Sequence, residues 1–180
     1  MGNRLTKIYT RTGDNGTTSG SDGVRILKNC QEVEALGAID ELNSHIGSLL
    51  SAITRDPYYS YIIDIQHDLF DIGGELSMSP LVPAISEKHV VRLEKQIDEM
   101  NTMLGPLKEF ILPWGAVHIA RTVCRRAERV LVQASLEQVV INPFTLAYIN
   151  RLSDWLFNLA RMKNLLEGRR EIFWQQRKNA

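Results

Sequence analysis

Three arginines, Arg121, Arg125 and Arg129, recur at four-residue intervals in HIARTVCRRAERV, with Arg126 and Glu128 among them. On a helix this spacing stacks three guanidinium groups along one face, where each like-charge pair disfavours an isolated helix by about 0.2–0.5 kcal/mol. Such a face needs an answering charge. Planar guanidinium forks match phosphate and carboxylate oxygens, so a polyphosphate is one answer. Structural ion pairs are the other, with Glu128 on the same helix and Asp40 and Asp154 on other helices as candidate acids. The segment IYTRTGDNGTTSG near the start favours the first answer. Its glycines let backbone N–H groups approach an anion and its hydroxyls add donors, although the same composition also suits a linker.

Other chemistries find less support. The glycine-rich segment lacks the G-x-x-x-x-G-K-S/T spacing of a P-loop. His45, His67, His89 and His118 are scattered without a HExxH motif, so no protein-ligated metal is expected. Cys30 and Cys124 form no CxxC pair and no disulfide framework, which suits a reducing cytoplasm. Linear spacing identifies neither a Ser-His-Asp nor a Cys-His arrangement.

The whole chain bounds the remaining possibilities. Its 180 residues fit one domain, and 44% hydrophobic residues exclude a disordered class. Lys+Arg and Asp+Glu both number 21, so there is no global electrostatic pull toward nucleic acid or an anionic membrane. Any cationic site must be local. No apolar run has the length of a membrane span, and the expectation is a cytoplasmic protein.

The elements that must position these residues follow from periodicity. Leu36, Ile39, Leu42, Ile46, Leu49, Leu50 and Ile53 mark a first helix over about Val33 to Ile53, with Asp40, Asn43, Ser44 and Gly47 away from much of its apolar stripe. A second helix runs from about Tyr58 to Ser77, with Asp56-Pro57 as its start and Gly73-Gly74 weakening its end. A third contains Val90, Leu93, Ile97, Met100 and Leu104 and stops at Gly105-Pro106. The arginine helix turns Val117, Ala120, Cys124, Ala127, Leu131 and Ala134 inward, which makes Cys124 a core residue. Asn142-Pro143 caps the last helix, whose stripe includes Leu146, Ile149, Leu152, Leu156, Leu159 and Leu166. This is an all-α chain: a five-helix up-and-down bundle over residues 33–180, preceded by an extended glycine-rich arm over residues 1–32. Phe110-Ile111-Leu112-Pro113-Trp114, beside the arginine helix, is expected to cap the core, with cover for a large planar ligand as the alternative.

The segments KIYTRTGDNGTTS, EALGAIDELNS, FILP, HIARTVCRRAERV and YINRLSDWLFNLAR, in this order, resemble the PduO-type ATP:cob(I)alamin adenosyltransferases. The resemblance spans nearly the whole chain. It implies a homotrimer with ATP and corrinoid bound where neighbouring subunits meet. The implied reaction transfers the 5′-deoxyadenosyl group of ATP to the cobalt of cob(I)alamin, with magnesium accompanying the nucleotide and triphosphate leaving. It also implies an electron-donating reductase and an adenosylcobalamin-dependent enzyme as partners, and neither nucleic acid nor membrane.

Carried onto matching positions, the resemblance assigns ATP to Thr10, Arg11, Thr12, Gly13, Thr18, Ser19 and Lys28 on the arm. On the helices it assigns Arg125, Arg126, Glu128, Arg129 and Asn150. Asp40 matches a carboxylate that pairs across subunits with Arg121, and Phe110 matches the aromatic beneath the corrin ring. Arg125 and Phe110 are the implied catalytic residues; no metal-ligating residue is implied. Three departures stand out. FILPWGAVHIAR is about five residues shorter than the usual family segment, more than one helical turn at about 3.6 residues per turn. Leu36 stands where tyrosine is common, and Glu32 where arginine is common. The shortened segment motivates an alternative, a non-catalytic ATP sensor or corrinoid-binding chaperone on the same bundle. A purely structural helical oligomer would leave the arm and the stacked arginines without a purpose.

Overall fold

The computed structural model describes residues 8–20, 23–51, 57–78 and 81–176. Among the described residues five helices carry the fold: α1 (Gln31–Leu50), α2 (Tyr59–Leu76), α3 (Glu87–Leu104), α4 (Ala116–Leu136) and α5 (Pro143–Leu166). The periodic apolar positions face one another as expected. α4 packs between α1 and α5, while α2 lies against α1 and α3 against α5. Trp155 and Tyr148 are the largest fully buried side chains. No helix among the described residues is long and apolar enough to cross a membrane.

The ends of the helices explain their lengths. Asn142 Oδ1 accepts from Phe144 N at 3.0 Å and Pro143 occupies the first turn, as the sequence predicts. Gly105, at φ +68°, ends α3 before Pro106. At the start of α3, Ser86 N donates to His89 Nδ1 at 3.1 Å, which gives His89 a capping role. α2 begins at Tyr59 rather than around Asp56-Pro57, with buried Tyr58 as the N-cap residue. Asp56 and Ile53 lie outside the described residues.

Two polar residues correct the sequence expectation. Asn43 is buried and donates from Nδ2 to Gln66 O at 3.2 Å, so it belongs to the α1–α2 contact rather than to a free face. Gly47 shares that contact, because a β-carbon there would lie 2.7 Å from Gln66 Nε2. Gly73-Gly74 does not fray α2 either. The next residue, Glu75, is buried and gathers four donors across the bundle. Its Oε1 accepts from Ala84 N at 2.6 Å, Ile85 N at 2.7 Å and Asn142 Nδ2 at 2.8 Å, while Oε2 accepts from Thr145 Oγ1 at 2.5 Å. One carboxylate thus fastens the end of α2, the run leading into α3 and the start of α5.

The N-terminal arm holds a short antiparallel hairpin, β1 (Thr17–Ser19) and β2 (Arg25–Leu27), with Thr18 opposite Ile26. Three-residue strands leave no alternating apolar pattern to read, and side-chain bonds hold them instead. Arg25 reaches Thr12 O at 2.6 Å, Thr17 O at 2.7 Å, Thr17 Oγ1 at 2.6 Å and Ser19 Oγ at 3.2 Å.

Replacing Glu75 with Ala leaves up to four donors without their acceptor, and unsatisfied buried groups cost about 1–3 kcal/mol each. The expected loss of unfolding free energy in urea is at least about 3 kcal/mol. A loss below about 1 kcal/mol would show that the network does not hold these three elements together.

Candidate functional site

The inner face of α4 buries Ala120, Cys124, Ala127, Leu131 and Ala134. Cys124 Sγ donates to Ile149 O at 3.2 Å, and burial pushes its thiol far above the usual range. It is a core residue and not a nucleophile. The opposite face carries the arginines in three different situations. Arg121 is half-buried and its Nε donates to Nδ1 of buried His118 at 3.2 Å. Burial, then the neighbouring Arg125 charge, lowers the pKa of Arg121. Arg126 forms an ion pair with Glu41 of α1. Arg125 and Arg129 remain exposed, joined by Arg129 Nη1 donating to Arg125 O at 3.0 Å. Neither pairs with a carboxylate among the described residues.

Of the candidate acids, Glu128 instead accepts from Asn150 Nδ2 at 2.8 Å, which brings two sequence-predicted site residues together across α4 and α5. Neither Asp40 nor Asp154 pairs with these arginines within the chain. Asp40 is exposed and lines a cleft of about 760 Å³ between α1 and α2, with Phe70, Gly73 and Asn43. Asn43 Oδ1 is buried there without a hydrogen-bond partner.

The arm brings its own candidates together. Gly13 lies so close to Lys28 that a β-carbon would sit 3.1 Å from Lys28 Nζ. Lys28 N donates to Gly16 O at 3.0 Å, and Thr10 Oγ1 lies 2.9 Å from Thr12 Oγ1. Arg11 adopts a left-handed φ of +62°, disfavoured for a side-chain-bearing residue by about 1–2 kcal/mol. Its guanidinium lies 5.6 Å from the Tyr9 ring centroid. Thr18 and Ser19 lie on β1. None of Thr10, Arg11, Thr12, Gly13, Thr18, Ser19 and Lys28 bonds to Arg125, Arg126, Arg129 or Asn150 of the same chain.

Phe110 corrects the core-capping expectation, being 78% exposed. Leu112 and Trp114 are exposed too, leaving Ile111 as the half-buried residue of FILP. The segment does not stand alone. Phe110 O accepts from Trp174 N at 2.7 Å and Leu112 N donates to Ile172 O at 2.8 Å. Sequence reasoning missed this C-terminal partner, and also missed Glu41 and Arg25. The signal in EIFWQQ was weak: a β-prone apolar run too short to distinguish from a tail.

An arginine face, a hydroxyl-rich loop and an exposed aromatic can hold a polyphosphate and a large planar ligand. The profile described as cobalamin adenosyltransferase matches residues 8–163, spanning the arm, the arginine helix and most of α5. The chain belongs to the cobalamin adenosyltransferase family. A cobalamin adenosyltransferase of Cupriavidus metallidurans is 46% identical over 186 residues, covering 100% of both chains. A corrinoid adenosyltransferase of Bacillus subtilis is 40% identical over 181 residues, covering 94% of this chain and 93% of the relative. Among solved structures, a variant PduO-type ATP:corrinoid adenosyltransferase from Lactobacillus reuteri complexed with cobalamin and ATP superposes with a TM-score of 0.88. Its identity is 36%, over 94% of this chain and 97% of that one. Another variant of that protein, complexed with ATP, gives a TM-score of 0.87 at 37% identity, over 93% and 100% of the two chains.

In this cobalamin adenosyltransferase-family chain, His118 serves the arginine face as a neutral acceptor. Burial, then the Arg121 charge, lowers its pKa from the ordinary 6.5, while Glu171 acts in the opposite sense; Phe157 packs edge-on at 6.0 Å. The unfolded chain therefore binds the His118 proton more readily than the native one. The stability contribution is complete above the ordinary value and declines as pH falls through the lowered one. The expected result for His118→Asn is a smaller loss of urea midpoint than wild type between about pH 7 and about pH 5. Parallel declines in the two proteins would exclude a native-state shift at His118.

Proposed function

We propose that this chain transfers the 5′-deoxyadenosyl group of ATP to the cobalt of cob(I)alamin and releases triphosphate. The observation that carries this is the open cationic pair Arg125 and Arg129. Its neighbours Arg121 and Arg126 are already engaged by His118 and Glu41, whereas this pair faces solvent without a carboxylate. Two unanswered guanidinium groups on a rigid helix suit the oxygens of a triphosphate. Asn150 and Glu128, already bonded to each other, border that face and orient the nucleotide.

The arm supplies the rest of the nucleotide site. Because none of its candidate ligands bonds to the arginine face of its own chain, Thr10, Arg11, Thr12, Gly13, Thr18, Ser19 and Lys28 act on ATP shared with a neighbouring copy. A closed homotrimer satisfies every such pair by one repeated contact. Asp40, on the α1–α2 cleft, then pairs with Arg121 of the adjoining copy.

The chemistry follows from these groups. The cobalt(I) electron pair attacks the ribose C5′, the C5′–O bond breaks, and its electron pair leaves on triphosphate. No proton moves. Arg125, Arg129 and Lys28 stabilise the departing charge, and holding both substrates in line removes most of the entropic barrier. The described residues form no cluster of three or more His, Cys, Asp or Glu side chains that would cage a cation. Magnesium accompanies the nucleotide, where it neutralises phosphate charge. Exposed Phe110 lies against the corrin ring and excludes an axial ligand that would otherwise hinder reduction of cob(II)alamin. A reductase supplies that electron, and an adenosylcobalamin-dependent enzyme consumes the product.

The deciding assay is anaerobic, with ATP, magnesium and chemically reduced cob(I)alamin, following the corrinoid spectrum and triphosphate. The expected outcome is matched formation of adenosylcobalamin and triphosphate; ATP binding without conversion would favour the sensor or chaperone reading. Arg125→Ala is expected to lower kcat/KM for ATP by at least about a hundredfold. Full activity in that variant would remove Arg125 from the site. Phe110→Ala is expected to keep ATP affinity but lose turnover from cob(II)alamin plus reductant, recovering part of it when cob(I)alamin is supplied directly. Undiminished turnover from cob(II)alamin would reject the role of Phe110.

A further inference from the structure

α5 ends at Leu166, and Gly168, at φ +64°, turns the chain back, with Arg169 N donating to Asn164 O at 2.8 Å. The returning segment, residues 169–176, lies beyond the match to the family profile. It is nevertheless fastened at three points. Arg161 Nε and Nη2 donate to the two oxygens of Glu171 at 2.8 and 3.4 Å, with both side chains largely buried. Arg169 places its guanidinium 4.8 Å from the Trp114 ring centroid. The segment also runs antiparallel to FILP, with Ile111 bridged to Phe173. A fork held by two hydrogen bonds in a largely buried setting is far stronger than an exposed ion pair.

Antiparallel pairing decides which side chains share a face. With Ile111 opposite Phe173, Phe110 lies opposite Trp174 and Leu112 opposite Ile172, all four on one side of the ribbon. The four are exposed, Trp174 at 48%. Trp174 meets Phe110 edge-on, with ring centroids 6.4 Å apart and planes at 78°. A cleft of about 620 Å³ opens beside Leu112, Ile172 and Trp174. An exposed phenyl ring on a loop would rotate freely; an indole edge packed across a hydrogen-bonded ribbon limits that rotation.

We propose that the C-terminal strap is part of the corrinoid site, with Trp174 as the positioning residue that orients Phe110 and extends its apolar wall. The proposal rests on the reading that Phe110 faces the corrin ring. It also gives the shortened FILPWGAVHIAR segment a support from elsewhere in the chain: the strap supplies a paired backbone where a longer loop is missing. The occupant is a planar corrinoid, because a rigid ribbon bearing two aromatic and two aliphatic side chains presents an extended apolar surface without a charged group among them.

The test uses the full chain with Trp174→Ala and Trp174→Phe beside wild type. Cobalamin and ATP affinities, steady-state kinetics, melting temperature, and the electron paramagnetic resonance spectrum of bound cob(II)alamin are measured in each. Trp174→Ala is expected to raise Kd and KM for cobalamin about tenfold while ATP affinity stays within about twofold, because an aromatic pair is worth about 0.5–1.5 kcal/mol beyond burial. The fraction of bound cob(II)alamin without an axial ligand falls in the same variant, and Trp174→Phe recovers most of both losses. Unchanged cobalamin affinity and spectrum in Trp174→Ala, with wild-type turnover intact, overturns the role of Trp174 alone. Equal losses for ATP and cobalamin also overturn it, since a merely structural strap would act on both. Wild type that binds cobalamin but transfers nothing defeats the enzymatic reading, while the binding and spectral comparison still decides Trp174. Wild type that binds no cobalamin overturns both.

Discussion

The small-residue inner face of α4 is the constraint on which the other arrangements depend. Ala120, Cys124, Ala127 and Ala134 are at most 1% exposed, and they let one helix pack closely against both α1 and α5. With that face committed, the arginines at 121, 125 and 129 have only the outer face left. The electrostatic cost of stacking them is about 0.2–0.5 kcal/mol per pair, whereas burying Leu131 alone contributes about 1.5–3 kcal/mol. Packing wins by a wide margin, so the helix tolerates an unneutralised charge row that an isolated peptide would resist. The site is thus built at the expense of a local preference that the core easily overrides.

Much of the bundle was legible because its signals are local. Apolar residues at three-and-four spacing identified all five helices, and Asn142-Pro143 and Gly105-Pro106 marked two of their ends. Two of the misreadings share one cause, namely that a long-range partner outweighed a local propensity. Gly73-Gly74 suggested a weak helix end, yet Glu75 draws donors from residues 84, 85, 142 and 145. Asn43 looked like a surface amide until Gln66 of α2 appeared opposite it. Of the site, the arginine stack was readable from spacing alone, but which acid answers which arginine was not. Glu41 and Asp40 are adjacent on α1, and only the crossing of α1 and α4 selects Glu41 for Arg126.

The glycine-rich arm shows how a linker-like composition becomes an ordered structure. Asn15 Oδ1 accepts from Thr17 N at 3.2 Å and Thr17 Oγ1 at 2.7 Å, closing a local turn. Arg25 then binds carbonyls at residues 12 and 17, pulling the loop against the hairpin. Its guanidinium is consumed in organising the loop, so among the described residues of the arm Lys28 and Arg11 are the cations left for a ligand, Arg11 with its guanidinium beside the Tyr9 ring. The left-handed Arg11 is the local strain that this bonding sustains. A loop held in place before a ligand arrives loses less conformational freedom on binding than the flexible segment its composition suggests.

Several groups able to perform proton chemistry are locked into the scaffold. Tyr148 donates to Asp68 at 2.6 Å, and its pKa is raised by burial and by that carboxylate; Asp68 also binds Arg92. Glu75 has four donors, Cys124 is enclosed, and His118 is turned toward Arg121. At the candidate site the described residues offer instead fixed positive charge on α4, backbone and hydroxyl donors on the arm, and an apolar ribbon bearing Phe110. That set has little use in a reaction that must activate a water or a hydroxyl. It fits one in which a substrate brings its own nucleophile, a second substrate brings its own leaving group, and the protein contributes alignment, exclusion of solvent from one face, and stabilisation of the anion that departs.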